Sequence, residues 1–325
     1  MLIINKDDIL STISMDKVIN RMRKAFVNLN AGKTFMPDRM VMKLNNNSLA
    51  LFMPAYLHSE GSLGIKVSSI FPSNKVHGLP LIHAQIILMD DKTGKIKALI
   101  EGSVLTAIRT AAVSALVTDL LSPRNSTSLS IIGSGMQASY HIKAMCCVRD
   151  IKKLYIFSRN KKTAFQIKDR IKQIPSNIEE VYVCDSSHEA VRNADIICTT
   201  TSTNSNLPIV KKHYIRPGTH INAIGGVTPD TCEVDASVLE GSYIVVEQFK
   251  VALQEAGEIR LALKMKYITS DNIVEIGSII DNDMTEKPNS GQTTFFKSVG
   301  IAMEDIAAAE LIYQEIISCM GNAAV

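Results

Sequence analysis

A pair of glycines, Gly133 and Gly135, constrains the fold of this chain more than any other feature. They follow the apolar run 129–132, which predicts a strand, and they precede a predicted helix that opens at Gln137. Glycines at such a turn let the backbone approach a pyrophosphate, whose charge then lies at the helix N-terminus. A second predicted strand follows after about 20 residues, as in a dinucleotide-binding unit. The sequence therefore predicts that this loop binds a dinucleotide.

The glycine loop begins only near residue 130 of a chain of 325 residues. The segment before it is long enough to form a domain of its own. Apolar runs that predict strands occur in that segment at 40–42, 48–53, 63–70 and 83–89. Turn signals separate these runs, so we expect an antiparallel sheet, followed by a helix in the alanine-rich stretch 101–121.

After Pro123 the pattern changes to alternating strands and helices, which is typical of a parallel, doubly wound sheet. The predicted strands are 129–132, 154–157, 180–184, 195–200, 220–224 and 243–246. An amphipathic helix at roughly 298–318 is expected to return to the first domain. We predict an α/β fold with a Rossmann-type doubly wound parallel sheet at 120–299, plus an α+β domain with antiparallel strands at 1–119 and 300–325. The polar stretch 281–294 is expected to be either a lid or a disordered loop.

Composition narrows the function classes. The net charge is only +3 and the basic residues are scattered, which argues against a nucleic-acid groove or a membrane-binding face. The N-terminus gains acidic residues at once and no apolar run approaches 18 residues, so we expect neither a signal peptide nor a membrane span. The six cysteines form no C-x-x-C pair and the histidines lack metal-ligand spacing. We expect a cytoplasmic protein with reduced thiols and no structural metal.

The residues after the second predicted strand bear on the choice of cofactor. An acid at this position would accept hydrogen bonds from the adenosine ribose of NAD, whereas Ser158 and Arg159 suit the 2′-phosphate of NADP. The alternative is that Arg159 is a solvated loop charge. NADP is therefore slightly preferred over NAD.

Three cations in the first segment suggest a site for a carboxylate. Lys66 lies inside an otherwise apolar strand, where a buried ammonium is costly unless it is paired. Arg39 precedes a strand, and Arg109 lies near the start of the alanine-rich helix. From its own segment alone, Arg109 is better explained as a surface arginine on an alanine-rich helix. Together the three could bind an α-carboxylate, with arginine supplying a planar, bidentate fork.

The order and spacing of several motifs resemble the ornithine cyclodeaminase/μ-crystallin family over essentially the whole chain. The motifs are Pro37-x-Arg39, Gly64-x-Lys66, Glu101-Gly102-x-x-Leu105-Thr106-x-x-Arg109-Thr110-Ala111-Ala112, Gly133-x-Gly135-x-Gln137, Asn222-Ala223-x-Gly225 and Phe296-Lys297-Ser298-x-Gly300. The resemblance implies a substrate-binding and dimerisation domain joined to a Rossmann domain for NAD(H) or NADP(H), with a homodimer as the expected assembly.

The resemblance also implies roles for individual residues. Arg39, Lys66 and Arg109 would bind the substrate carboxylate, and Lys66 would also donate or accept a proton. The loop Thr200, Thr201 and Ser202 would lie by the nicotinamide ribose, although an ordinary polar loop explains these residues equally well. The cofactor-binding residues are predicted to be Thr110, Gly133, Gly135, Met136, Gln137, Ser158, Arg159, Thr200, Thr201, Ser202, Val227, Ser298 and Gly300.

One departure from the family pattern affects the expected reaction. In cyclodeaminases of this family an aspartate directly follows the Asn-Ala-x-Gly-Gly run and handles the amine, whereas this chain has Val227 there. Asp230 could replace that aspartate if its loop folds inward, and we include it among the candidate catalytic residues. Otherwise it is expected at a helix N-terminus, a position that favours acids.

These observations favour an NAD(P)-dependent oxidoreductase that transfers hydride at the α-carbon of an amino acid or a cyclic imino acid. Such an enzyme would be an amino acid dehydrogenase or an imine reductase, for example of ketimines or pyrroline-2-carboxylate. The first alternative is an ornithine cyclodeaminase-type lyase with internally recycled NAD. The second is a μ-crystallin-like, NADP-dependent protein that binds a small ligand.

Overall fold

The computed structural model describes residues 1–171, 174, 176–202, 207–281 and 288–322. Residues 282–287 of the polar stretch that sequence analysis left as a lid or a loop lie outside this set. The chain divides into two compact units, one formed by residues 1–110 with 301–325 and the other by residues 111–300. Sequence analysis had placed the boundary at 119/120, whereas this division falls inside a helix.

The strands are β1 (Leu2–Ile4), β2 (Thr34–Phe35), β3 (Met40–Lys43), β4 (Leu49–Leu57), β5 (Ser62–Ile70), β6 (Ile82–Asp90), β7 (Ile96–Glu101), β8 (Ser128–Ile132), β9 (Lys153–Phe157), β10 (Glu180–Val183), β11 (Ile196–Thr199), β12 (His220–Ala223), β13 (Tyr243–Val246), β14 (Ile273–Glu275) and β15 (Thr294–Lys297). The α-helices are α1 (Lys6–Thr12), α2 (Met15–Asn30), α3 (Gly102–Leu121), α4 (Met136–Val148), α5 (Lys161–Arg170), α6 (Ser187–Val191), α7 (Phe249–Glu255), α8 (Gly257–Lys264), α9 (Ile276–Asp281) and α10 (Ala302–Asn322).

The first unit is built on a seven-stranded sheet in the order β1-β7-β6-β5-β4-β2, with β3 paired to β4. Its long strands pair antiparallel, as the apolar runs predicted, but β1 pairs parallel with β7. The sheet is therefore mixed rather than purely antiparallel. The three residues of β1 are too few to show a strand periodicity, which explains why the sequence did not reveal this strand.

Helix packing completes the core of the first unit. The apolar stripe of α2, including Val18, Met22 and Phe26, is buried, and Ser14 caps the N-terminus of this helix. The final helix, α10, packs on α2, β4 and β5. It begins four residues later than the sequence predicted, because residues 298–301 form the connection that precedes it.

The second unit contains an eight-stranded, entirely parallel sheet in the order β10-β9-β8-β11-β12-β15-β13-β14. The strand order reverses between β8 and β11, and ligands of such sheets bind beyond the carboxyl ends of the strands at this switch point. The predicted α/β, doubly wound fold is confirmed. The sequence missed β14 and also β15, a fully buried strand between β12 and β13.

Helix α3 bears on the expectation that the chain has no membrane span. Within the described residues it is the one helix long and apolar enough to cross a membrane, although the sequence analysis expected no such segment. However, 83% of its most apolar 18-residue window is buried inside the protein. We therefore interpret α3 as a core helix.

Two histidines of the second unit are buried and neutral. His141 on α4 contacts Ser114 Oγ at 3.0 Å and the Gln137 carbonyl oxygen at 2.9 Å. His220 on β12 contacts Thr294 Oγ1 at 2.7 Å. Burial lowers the pKa of His141 to about 4 and the pKa of His220 to about 3, because neither imidazolium would be solvated.

Because the pKa values of both histidines are lowered, we expect the protein to lose stability in weak acid. Between about pH 6.5, where unfolded histidine titrates, and about pH 4, the unfolded chain binds a proton on His141 that the native chain does not bind. The free energy of unfolding should therefore fall with decreasing pH in this window, by up to about 1.4 kcal/mol per pH unit for each such histidine. Urea unfolding from pH 7 to 4.5 measures this slope.

The matched control is the exposed His83. The variant His141→Gln should flatten the slope, and His83→Gln should leave it unchanged. Equal slopes for the wild type and His141→Gln would contradict the prediction.

Candidate functional site

The glycine loop lies at the carboxyl edge of the second unit's sheet, between β8 and α4. Gly133 has φ +117°, and a Cβ there would lie 2.8 Å from the carbonyl oxygen of Thr200, so this position requires glycine. A Cβ on Gly135 would instead meet no described heavy atom within 4 Å. The helix begins at Met136, one residue before the predicted Gln137.

This loop has the features that a pyrophosphate requires. The N-cap residue of α4 is Gly135, which has no side chain that could cap the helix, and the space beside it is open. The first N–H groups of α4 and the positive end of its dipole therefore lie beside an open space, which a Cβ on Gly135 would fill. The Oε1 atom of Gln137 is buried and has no hydrogen-bond partner within the described part of the chain. The residues present thus fit a dinucleotide.

The end of β9 carries hydroxyl groups in place of an acid. Ser134 Oγ lies 2.7 Å from Ser158 Oγ and 2.6 Å from Thr163 Oγ1, so the glycine loop, β9 and α5 share one hydrogen-bonded cluster. Arg159 is exposed beside this cluster. The structure therefore brings Ser158 next to the glycine loop and places Arg159 on the surface at the same end of the strand.

The remaining cofactor candidates of the second unit lie in loops after neighbouring strands. Thr200 is buried, with its N–H bonded to the Ile132 carbonyl oxygen at 2.8 Å. Ser202 is exposed, and Val227 is 45% exposed. The exposure of Ser202 and Val227 leaves both side chains accessible to a ligand.

Ser298 and Gly300 are held by a carboxylate that the sequence analysis missed. Ser298 Oγ donates to Glu247 Oε1 at 2.6 Å, and the N–H groups of Val299 and Gly300 donate to Glu247 Oε2 at 3.0 and 2.8 Å. Glu247 directly follows the apolar strand β13, a position from which an acid can reach the carboxyl edge. That position is the signal that could have identified it.

The first unit contains a buried ion cluster around Lys66. Lys66 on β5 lies 2.5 Å from Asp305 Oδ2, and Arg109 on α3 donates from Nε to Asp305 Oδ1 at 2.8 Å. Arg109 also pairs with Glu304. All four side chains are at most 6% exposed. Thus β5, α3 and the first turn of α10 each contribute charge to one site.

This cluster changes the cationic pocket that the sequence predicted. Two acids, Glu304 and Asp305, balance much of its positive charge, and sequence analysis identified neither. The signal that could have revealed them is their position inside the apolar run 301–309, where unpaired acids would be costly. Arg39 is half-buried just before β3, and its charge reaches Lys66.

Burial is the main reason why the pKa of Lys66 lies below its ordinary value. Asp305 opposes this effect, while Arg109 and Arg39 add to it as lesser contributors. Burial would raise the pKa of Asp305, but Arg109 and Lys66 outweigh it and hold that pKa below its ordinary value. A lysine with a lowered pKa beside an ionised carboxylate is suited to exchange a proton.

Two further candidates have less support. Asp230 is exposed in a turn, and no helix begins there, so the prediction of a helix N-terminus is wrong. Its catalytic assignment stays a prediction. Thr110 is buried on α3 directly after Arg109.

A surface groove of the second unit is not part of the candidate site. Its lining includes Pro217, Ser242 and Thr293, which precede β12, β13 and β15. It therefore lies at the amino edge of the sheet, opposite the edge where such folds bind their ligands.

Comparisons with known proteins match nearly the whole chain. The model of the ornithine cyclodeaminase/mu-crystallin family matches residues 1–319. A Delta(1)-pyrroline-2-carboxylate reductase of Bacillus cereus is 33% identical over 320 residues, covering 98% of this chain and 97% of the relative. The structure of Thermococcus litoralis Delta(1)-pyrroline-2-carboxylate reductase in complex with NADH and L-proline aligns with a TM-score of 0.92, 36% identity and 98% coverage of both chains. An archaeal alanine dehydrogenase dimer with bound NAD aligns with a TM-score of 0.89 and 30% identity, covering 98% of this chain and 96% of that chain.

The ion cluster predicts a large stability cost for Asp305→Asn. The variant leaves Lys66 and Arg109 buried without the carboxylate that pairs with both of them, and removal of one partner from a buried ion pair typically costs about 3–5 kcal/mol. Urea unfolding at pH 7 should show a loss of this size, while Asp271→Asn, at an exposed site, should have little effect. A loss below about 1 kcal/mol for Asp305→Asn would contradict the ion-pair interpretation.

Proposed function

Because the chain belongs to the ornithine cyclodeaminase/mu-crystallin family, we propose that it is an NAD(P)-dependent reductase of cyclic imino acids of the pyrroline-2-carboxylate type. The observation that carries this proposal is the buried cluster in which Lys66, with its lowered pKa, lies beside Arg109 and Asp305. Such a cluster can bind a carboxylate and exchange a proton. The full-length similarity to two pyrroline-2-carboxylate reductases supports the same substrate class.

The proposed roles follow from the chemistry of the side chains. Arg39 and Arg109 bind the substrate carboxylate and fix the orientation of the α-carbon. The nicotinamide, when bound, supplies a hydride to that carbon. Lys66 donates a proton to the imine nitrogen, so that the C=N bond becomes a C–N bond with one hydrogen added to each atom. Asp305 then stabilises the other cations of the cluster while Lys66 is neutral.

The proposed cofactor-binding residues are those at the carboxyl edge of the second unit's sheet, and Thr110. Gly133, Gly135, Met136 and Gln137 would hold the pyrophosphate. The loops that contain Thr200, Thr201, Ser202, Val227, Ser298 and Gly300 would hold the nicotinamide half. Metal ions take no part in this proposal.

For the adenosine half we propose a preference for NADP. Ser158 and Arg159 follow β9, where an acid would favour the free ribose hydroxyls of NAD. Arg159→Ala should therefore raise the KM for NADPH by about tenfold, the loss of one charge-assisted contact, and leave the KM for NADH almost unchanged. Steady-state kinetics with both cofactors measures this.

A matched control for Arg159→Ala is Lys162→Ala, which removes an exposed cation three positions further along the chain. This control should change neither KM. An equal effect of Arg159→Ala on both cofactors would contradict the NADP assignment.

The proton-transfer role is tested with Lys66→Arg. Arginine keeps the positive charge but does not release its proton, so kcat should fall by roughly 10²–10⁴-fold while the KM for pyrroline-2-carboxylate changes much less. Lys97→Arg, on β7 of the same sheet, is the control and should remain active. Wild-type kcat in Lys66→Arg would refute the assignment of Lys66.

A cyclodeaminase is the second candidate, and Val227 is the observation against it. That position carries an aliphatic side chain in place of the expected aspartate, and Asp230 is exposed in a turn. Net oxidation of NAD(P)H with an imino acid supports the reductase, whereas ornithine turnover without a net change in NAD(P)H supports the lyase. Binding without any turnover would indicate a μ-crystallin-like binding protein.

We also propose a homodimer formed through the first unit. Its edge strands expose apolar side chains, among them Phe35 and Met40 at 61% and Met42 at 46%. An apolar sheet edge of this kind is typically covered by another chain. The alanine dehydrogenase relative is itself a dimer. A location in the cytoplasm stays a prediction.

A further inference from the structure

Three fully buried charged residues of the second unit have no role in the proposed chemistry. They are Glu233, Glu258 and Lys297, each at most 1% exposed. Lys297 Nζ lies 3.1 Å from Glu258 Oε2, and Glu258 Oε1 accepts the N–H of Glu233 at 2.8 Å. Burying three charges costs free energy that a plain apolar core would not require. Such a cost calls for a functional explanation.

Glu233 connects two loops at the carboxyl edge of the sheet. Its Oε1 accepts the N–H and the hydroxyl of Thr201 at 2.6 and 2.7 Å, in the loop after β11. Its Oε2 accepts the hydroxyl of Thr199 at 2.6 Å and the N–H of Gly225 at 2.7 Å, after β12. Two of these four contacts come from backbone N–H groups, which can only donate, so both oxygens of Glu233 act as acceptors. Burial raises the pKa of this carboxyl above its ordinary value, while Lys297, Thr199 and Thr201 oppose the rise.

Lys297 and close packing fix the second of these loops further. Lys297 ends β15, and its Nζ donates to the carbonyl oxygen of Gly225 at 2.5 Å. A Cβ on Gly225 would lie 2.2 Å from the carbonyl oxygen of Thr201 and 2.5 Å from Glu233 Oε1. The loops after β11 and β12 are therefore in direct contact around the Glu233 carboxylate, and Lys297 adds a link to β15.

We propose that Glu233, with Lys297 and Glu258, positions the loops Thr200–Ser202 and Gly225–Val227 as one rigid surface that receives the nicotinamide half of the cofactor. Glu233 is thus a positioning residue that acts through Thr201 and Gly225. The inference rests on the proposed function. It adds that binding of the nicotinamide half depends on Glu233, whereas binding of the adenosine half depends on the glycine loop, its helix N-terminus and the residues after β9, although Gly133 packs against the carbonyl oxygen of Thr200.

The test compares whole cofactors with fragments that lack the nicotinamide. Glu233→Gln puts an amide NH₂ among four donors, so at least one hydrogen bond is lost and the two loops separate. We expect the Kd for NADPH or NADH to rise by at least about tenfold, and the Kd for 2′-phospho-ADP-ribose or ADP-ribose to stay within about twofold. Calorimetric titration measures all four ligands.

Two further variants complete the test, one as a milder change at the same carboxylate and one as a control. Thr199→Val removes one hydroxyl that donates to Glu233. It should raise the ratio of the Kd for the whole cofactor to the Kd for its fragment, as Glu233→Gln does, but by a smaller factor. Glu240→Gln changes an exposed glutamate of the same unit and should leave every Kd unchanged. If Glu233→Gln does not fold, Thr199→Val carries the test.

The outcomes separate this inference from the proposed function. A selective loss of affinity for the whole cofactors supports the positioning role. Equal weakening of cofactor and fragment, or no weakening of either, overturns it while leaving the proposed function intact. A wild-type protein that binds neither the cofactors nor the fragments overturns the proposed function, and this inference with it.

Discussion

The buried ion pairs between the first turn of α10 and the cations Lys66 and Arg109 are the constraint on which the first unit depends. A lysine inside an apolar strand can leave water only if an opposite charge compensates it. Asp305 supplies that charge to Lys66 and also to Arg109, although Arg109 and Asp305 are 196 positions apart in the chain. The requirement therefore links the C-terminal helix to a sheet built from the first hundred residues. Burial nevertheless holds the pKa of Lys66 below its ordinary value in spite of this ion pair, and the proposed chemistry uses that lowered pKa.

Buried carboxylates organise the second unit in a similar way. Glu233 bonds to the loops after β11 and β12, and Glu247 bonds to the loop after β15. Each carboxylate accepts backbone N–H groups that would otherwise be left without partners where the strands end. Loops at this edge thus have defined positions without regular secondary structure. In the proposed function these are the loops that contact the cofactor.

Much of the fold could be predicted because its signals are local. Apolar runs of strand length and the glycine turn at Gly133 depend only on neighbouring residues, and the doubly wound sheet follows from their alternation. The short strand β15 could not be predicted, because its four residues include Lys297 and its place between β12 and β13 depends on distant partners. For the same reason the sequence indicated that Lys66 needs a partner but did not identify Asp305. The turn at Asp230 was also mispredicted, since an acid after a proline is typical of both turns and helix starts.

The fate of the hydride tests the central claim most directly. Pyrroline-2-carboxylate is incubated with NADPH or NADH that carries deuterium at both hydrogen positions of C4 of the nicotinamide, and the product is examined by mass spectrometry and NMR. The account predicts that the cofactor is consumed and that the proline formed carries one deuterium at the α-carbon. Proline without deuterium at that carbon, or no consumption of the cofactor with any cyclic imino acid, would contradict it.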